Sequence, residues 1–138
     1  MTAPVRASCL NNLVLLVEEL QGNPEDLFAY QSFIDLLELC AQSLRMPDMG
    51  LRLAMRQDQS ILGPVAFLAL SAHDVRSALI SVGKFLYHFT PAISLTLKEG
   101  ENQPSYVCLE LLNTNSNDRR QAVEHAVGCT LHIIHLVT

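Results

Sequence analysis

Basic residues are scarce in this sequence: 9 lysines and arginines stand against 14 aspartates and glutamates, a formal net charge of −5 at pH 7. A surface of that sign repels a phosphate backbone, so direct nucleic-acid binding by this chain is not expected. The adjacent basic pair Arg119 and Arg120 is outweighed by Asp118 and Glu124 and reads as a solvated helix face. Cysteine is sparse too. Cys9, Cys40, Cys108 and Cys129 lie far apart without a CxxC pair, which argues against both a zinc knuckle and a disulfide framework. Each sits among Leu, Ala or Val, where a free cysteine behaves as a small buried hydrophobe, and free thiols point to a reducing compartment. No run approaches the ~20 apolar residues of a membrane span, and Met1–Leu10 has no apolar stretch fit for a signal peptide. The expectation is a cytoplasmic protein with no membrane partner.

The patterns that carry chemistry are also missing. There is no GxSxG elbow for a nucleophile, no P-loop and no GxGxxG to cradle a phosphate. The carboxylate pairs Glu18–Glu19 and Glu25–Asp26 are sequence neighbours, which point to different sides and do not act as an acid/base couple. Of the histidines at 73, 88, 125, 132 and 135, the last three share one predicted helix. His132 and His135 are i,i+3 there, His125 is two turns away, and no HExxH or carboxylate lies at ligand spacing. No metal, no cofactor and no enzymatic activity are expected.

What is present is apolar periodicity. The 138 residues, 49% of them apolar, fit one domain spanning 1–138 with one core. Leu10, Leu13, Val14, Val17 and Leu20 recur at steps of three and four, a stripe on an amphipathic helix that Gly22, Asn23 and Pro24 stop. A second helix is predicted from Ser32 to about Met46, with Phe33, Leu36, Leu37, Cys40 and Leu44 inward. Asp48 is placed to cap a short third helix, in which Leu51, Leu53, Ala54 and Met55 are apolar and Arg52 and Arg56 form a basic face. Gly63–Pro64 reads as a helix start, because proline's missing N–H costs nothing in a first turn, and Val65–Leu70 reads as a helix buried on all sides. Ser71 or Asp74 caps the next, with Val75, Leu79, Val82, Leu86 and Phe89 on one face.

The period then switches to two. Ile93, Leu95 and Leu97 alternate with polar residues, as do Val107, Leu109 and Leu111 beyond a polar loop, which predicts an antiparallel hairpin. After the Asn113–Asn117 cluster, Asn117 or Asp118 is placed to cap a last helix with the stripe Val123, Ala126, Val127, Thr130, Leu131 and Ile134. It runs apolar to Thr138 without a cap, the pattern of a chain shortened relative to something longer. The predicted fold class is α+β: mainly α-helical, with the hairpin packed against the C-terminal helix. An open apolar face on that helix would be covered by a second copy, which nominates Val127, Leu131 and Ile134 as a dimer interface.

Between Arg45 and Pro64, basic and polar residues interrupt apolar helices. Arg52, Arg56 and Asp58 can line the mouth of a pocket for a small anionic or polar ligand, or can pair internally to lock two helices; both readings stand.

Three runs resemble a known family. They are Phe33-Ile34-Asp35-Leu36-Leu37-Glu38-Leu39-Cys40-Ala41, Pro47-Asp48-Met49-Gly50-Leu51-Arg52-Leu53-Ala54 and Gln57-Asp58-Gln59-Ser60-Ile61-Leu62-Gly63-Pro64-Val65. With the later Lys84-Phe85-Leu86-Tyr87-His88-Phe89-Thr90-Pro91-Ala92-Ile93, they look like the N-terminal regulatory, "arabinose-binding"-type domain of AraC-family transcriptional regulators. The alternating strands and the Arg120-Gln121 and Glu124 helix follow in the family's order, and the likeness covers about residues 30 to 138. It implies a domain that senses a small-molecule effector, mediates homodimerisation, or both, joined in full-length members to a helix-turn-helix domain that this chain is expected to lack. Tyr87 and His88, within the matching segment, join the ligand-binding candidates. The family label names a sugar, but no pattern in these residues selects one. The alternative is a standalone protein–protein interaction module without a ligand.

Overall fold

The structure is a computed structural model that describes residues 30–57, 62–112 and 118–138. The predicted helix at Leu10–Leu20, the Asn113–Asn117 cluster, Cys9 and Asp58 lie outside the described residues. Among those described, the order is α1 (Tyr30–Ser43), α2 (Met49–Arg56), α3 (Pro64–Leu70), α4 (Val75–Phe89), β1 (Ile93–Lys98), β2 (Tyr106–Leu111) and α5 (Arg120–Val137). The α+β class with one antiparallel hairpin is what the structure has.

Each boundary has a local cause. α1 ends in two crossed backbone bonds, Met46 N–H to Ala41 O at 2.9 Å and Arg45 N–H to Gln42 O at 3.2 Å. This is the left-handed helix stop that usually employs glycine, and here Arg45 takes the positive φ of 52°. The stop leaves Leu44 beyond the helix and 59% exposed, where the periodicity placed it inward. The buried face of α1 is instead Ile34, Leu37 and Ala41, one residue around from the predicted stripe. Asp48 occupies the N-cap position of α2 without capping it, because its carboxylate accepts from Arg52 Nε at 2.8 Å. Gly63 (φ 52°) and Pro64 start α3 as expected. That helix is not buried all round: Val65, Ala66 and Ala69 face the core, while Phe67 is 73% exposed. Asp74 caps α4, accepting from Ser77 N–H at 2.6 Å, and this bond to the charged form holds its carboxyl below the usual range. Ser71 bonds back to Phe67 O within α3 instead. α5 starts with Arg119 in the N-cap position, not Asp118.

The hairpin pairs Ile93 with Leu111, Leu95 with Leu109 and Leu97 with Val107, so its apolar residues share one face, as the alternation requires. That face lies against α4 through β1 and against α5 through β2. Arg76 of α4 grips Glu99 just beyond β1 with two hydrogen bonds, one of them Nη2 to Oε2 at 2.9 Å.

Two apolar clusters result. One gathers Leu62, Val65, Ala69, Leu79, Val82 and Leu95 around Ile133 of α5. The other gathers Ile34 and Leu37 around Ala122, with Tyr30, Phe33, Leu53 and Leu111 packed on it. α5 therefore runs through both, with α1 against its first turns, α2 along it from Gln121 to His132, and Ile133 near its end in the cluster of α3 and α4.

Two substitutions should move stability in opposite directions. Arg45→Gly relieves a left-handed non-glycine residue and should raise the unfolding free energy by about 1 kcal/mol, read as a higher urea midpoint at unchanged m-value. Gly50→Ala should lower it severely, since a Cβ there would sit 1.9 Å from the Gln121 carbonyl oxygen.

Candidate functional site

α2 crosses α5 at two glycines. Gly50 lies on the Gln121 backbone, and a Cβ on Gly128 would fall 2.3 Å from Ala54 Cβ. Helices this close have no room for interleaved side chains, and polar side chains on one face of α5 bond α2 instead. Gln121, 3% exposed, is the centre. Its Oε1 accepts from Gly50 N–H at 2.8 Å, and its Nε2 donates to Pro47 O at 2.9 Å. Its own N–H, unsatisfied in a first helical turn, donates to Glu38 Oε1 of α1 at 2.7 Å. Glu38 thus caps α5 from another helix. Burial pushes its carboxyl upward, a rise that the Gln121 bond opposes.

One turn on, His125 is buried, with Nε2 2.8 Å from Gln57 Oε1 at the end of α2. Two turns further, His132 Nε2 lies 2.6 Å from Ala54 O, so it donates there from its Nε2–H tautomer. Cys129 Sγ stands 3.8 Å from His125 Nε2, and Phe33 meets the His125 ring edge-on at 5.4 Å. Tyr30 joins the cluster with a buried hydroxyl that has no hydrogen-bond partner among the described residues. Burial pushes the Tyr30 phenol up to about 12 and the Cys129 thiol up to about 11, and pushes His125 below its ordinary value. All three are neutral at pH 7, so the group is a neutral hydrogen-bonded seam and lacks the thiolate that nucleophilic chemistry would need.

The residues nominated from sequence fall in different places. Arg52 and Arg56 stand one turn apart on the exposed side of α2. Arg52 pairs with Asp48 of its own helix, a surface contact worth little, while Arg56 has no ion-pair partner among the described residues. Asp58 is outside the described residues. Tyr87 and His88 are exposed neighbours near the end of α4, with rings 6.2 Å apart. α2 and α4 do not touch, so the structure does not bring the two arginines together with Tyr87 and His88. Val127 and Leu131 are exposed, at 43% and 40%, and Val123 continues their row, whereas Ile134 is half-buried against the core. Among the described residues, no group of three or more His, Cys, Asp or Glu is placed to hold a metal. Sequence reasoning missed Gln121, Glu38 and His125 as structural centres. The available signal was the spacing of Gln121, His125 and His132, which puts three polar residues on one side of an apolar helix.

Over residues 6–138 the sequence matches the family described as the arabinose-binding domain of AraC transcription regulator, N-terminal. It is also similar to the HTH-type transcriptional regulator VirS of Mycobacterium tuberculosis, in strains CDC 1551 / Oshkosh and ATCC 25618 / H37Rv. Each of these is 43% identical over 74 residues, 53% of this chain. The match spans 22% of the length of either relative.

Gln121→Leu removes the partner of Gly50 N–H and of Pro47 O together and should cost about 2–6 kcal/mol in chemical denaturation, since each buried group left unpaired costs about 1–3. His125 sits below its unfolded value of 6.5. Its contribution is therefore complete above about pH 6.5 and is lost as the pH falls through the depressed folded value. Stability measured from pH 7.5 to 5 should drop in the wild type, with a shallower drop in His125→Gln.

Proposed function

The chain belongs to the family of arabinose-binding N-terminal domains of AraC transcription regulators, and from that membership we propose that it is a regulatory module. In this reading it receives a small anionic effector at α2, answers through self-association along α5, and performs no reaction of its own. It acts in the cytoplasm and leaves DNA contact to a helix-turn-helix partner domain.

The observation that carries the effector half is the placement of Arg56 and Arg52. Two guanidinium groups lie one turn apart on an exposed face, one without a partner among the described residues and the other held only by a surface pair. Guanidinium groups offer carboxylates a bidentate fork. The helix that carries them rests on α5 through the hydrogen-bonded seam, so an anion bound there acts on the contact between two elements. Tyr87 and His88, on α4, belong to a different surface and are not assigned to this effector.

The self-association half has its own support in the exposed row of Val123, Val127 and Leu131, with Ile134 beside it at the edge of the core. Rows of large apolar side chains left open on a helix are commonly covered in an assembly. The alternative, an interaction module without a ligand, shares the second feature and not the first.

A thermal-shift screen over small carboxylates and phosphates separates the two. A ligand that binds only the folded chain raises the melting temperature, and Arg56→Ala should abolish that rise while leaving the unliganded melting point within a degree or two. Sedimentation at micromolar concentration should show a dimer that Val127→Glu weakens. A silent screen favours the interaction module, and a clean monomer removes the self-association half.

A further inference from the structure

The two edges of the hairpin are unlike. Leu112 N–H bonds Ala92 O at 2.7 Å, so that pair exchanges ladder bonds, and by alternation Ser94–Glu110, Thr96–Cys108 and Lys98–Tyr106 do the same. The residues between them are Ile93, Leu95 and Leu97 on β1 and Val107, Leu109 and Leu111 on β2. Their backbone N–H and C=O groups therefore aim away from the hairpin. On β1 the outward groups meet neighbours. Ile93 N–H bonds Thr90 O, and Leu95 O lies against α4, where a Cβ on Gly83 would come within 2.4 Å of it. On β2 they do not. Among the described residues no group bonds the N–H or C=O of Val107, Leu109 or Leu111, and among the described elements β2 touches only β1 and α5.

β2 also lacks the features that keep an edge from pairing. It contains no proline and no lysine, and its register runs from Tyr106 to Leu111 without a bulge. Burial shows the same asymmetry. Leu95 is 5% exposed, while Leu109, opposite it on the same apolar face, is only half-buried.

We propose that the β2 edge receives an extended segment of a partner protein as a third strand, one in which apolar residues alternate with basic ones. The inference rests on neither half of the regulatory reading above. Main-chain groups that repeat about every 7 Å along an edge are matched by another extended main chain. Added side chains opposite Val107, Leu109 and Leu111 fall on the apolar face, which favours Val, Ile or Leu there. Those opposite Cys108 and Glu110 fall on the outer face, where charge decides. From Glu99 to Asp118 there are four carboxylates and no lysine or arginine. Arg76 holds Glu99, whereas Glu110 is exposed and has no ion-pair partner among the described residues. A basic residue opposite Glu110 makes a favourable cross-strand pair. A second copy is the poorer occupant, since its own β2 brings another Glu110 to an edge that is already acidic.

Amide exchange in the full chain tests the edge first. The N–H groups of Cys108 and Glu110, inside the ladder, should exchange slowly, and those of Val107, Leu109 and Leu111 about tenfold faster or more. Equal protection of all five overturns the proposal, whether the chain itself closes the edge or, where protection grows with protein concentration, a second copy does. The partner is then represented by a capped nonapeptide of alternating lysine and valine. It should slow exchange at Val107, Leu109 and Leu111 by about tenfold or more and change Cys108 and Glu110 little. A nonapeptide of the same composition with its valines in one block should leave the three unprotected. Equal protection by both peptides, or by neither, overturns the strand. Val107→Pro removes an N–H that the ladder does not use, so it should abolish peptide binding while Cys108 and Glu110 stay protected; retained binding counts against the edge. Glu110→Lys keeps the backbone groups and reverses the charge, so the peptide should bind about threefold more weakly, and an unchanged constant overturns the basic requirement.

Discussion

The contact on which the rest of this structure depends is the crossing of α2 over α5, where Gln121 is fixed to three pieces of chain at once. Its side chain holds Gly50 and Pro47, and its N–H is held by Glu38. These bonds satisfy groups that would otherwise be buried unpaired, a cost of about 1–3 kcal/mol for each, so α1, α2 and the first turn of α5 are obliged to meet in one arrangement. Glycine at 50 and 128 makes the approach sterically possible. Directional bonds then do at this junction what interdigitated side chains do elsewhere.

α5 carries that arrangement to the other half of the molecule. Ala122 belongs to the cluster under α1, and Ile133, eleven residues on, to the cluster under α3, α4 and the hairpin. One helix thus sets two apolar groupings in a fixed relation, and the half-buried seam of His125, Cys129, Tyr30 and His132 lies between them. α2 is held on α5 by these hydrogen bonds and glycine contacts, with Leu53 packed on the cluster of Ile34 and Leu37, and it carries Arg52 and Arg56 on its exposed side.

Much of the local structure was legible beforehand because it rests on local causes. Gly63 and Pro64 started a helix, Asp74 capped one, and strict alternation from Ile93 and from Val107 produced paired antiparallel strands. Misplacements occurred where a local pattern competed with a tertiary partner. Asp48 carries a capping side chain, but Arg52 lay within reach and took it. The stripe Val123, Val127 and Leu131 has the spacing of a buried face, yet the neighbours of α5 sit on the side of Ala122, His125, Ala126 and Ile133. Periodicity identifies a stripe, and it does not identify which of two adjacent stripes the rest of the chain will cover.

The same limit applies to the site. Arg52 and Arg56 were recognisable as a pair because helical spacing alone puts them on one face, and Tyr87 with His88 because they are adjacent. That α2 and α4 never touch is a matter of topology, to which neither spacing speaks. By itself the sequence determined the helices, the hairpin, the acidic balance and the family, since each depends on neighbours within a few turns or on the order of residues. Only the tertiary structure decided that a glutamine near the start of the last helix would bind the first two helices together. A buried polar group finds its partners 71 to 83 residues away, and no window along the chain contains both ends of those bonds.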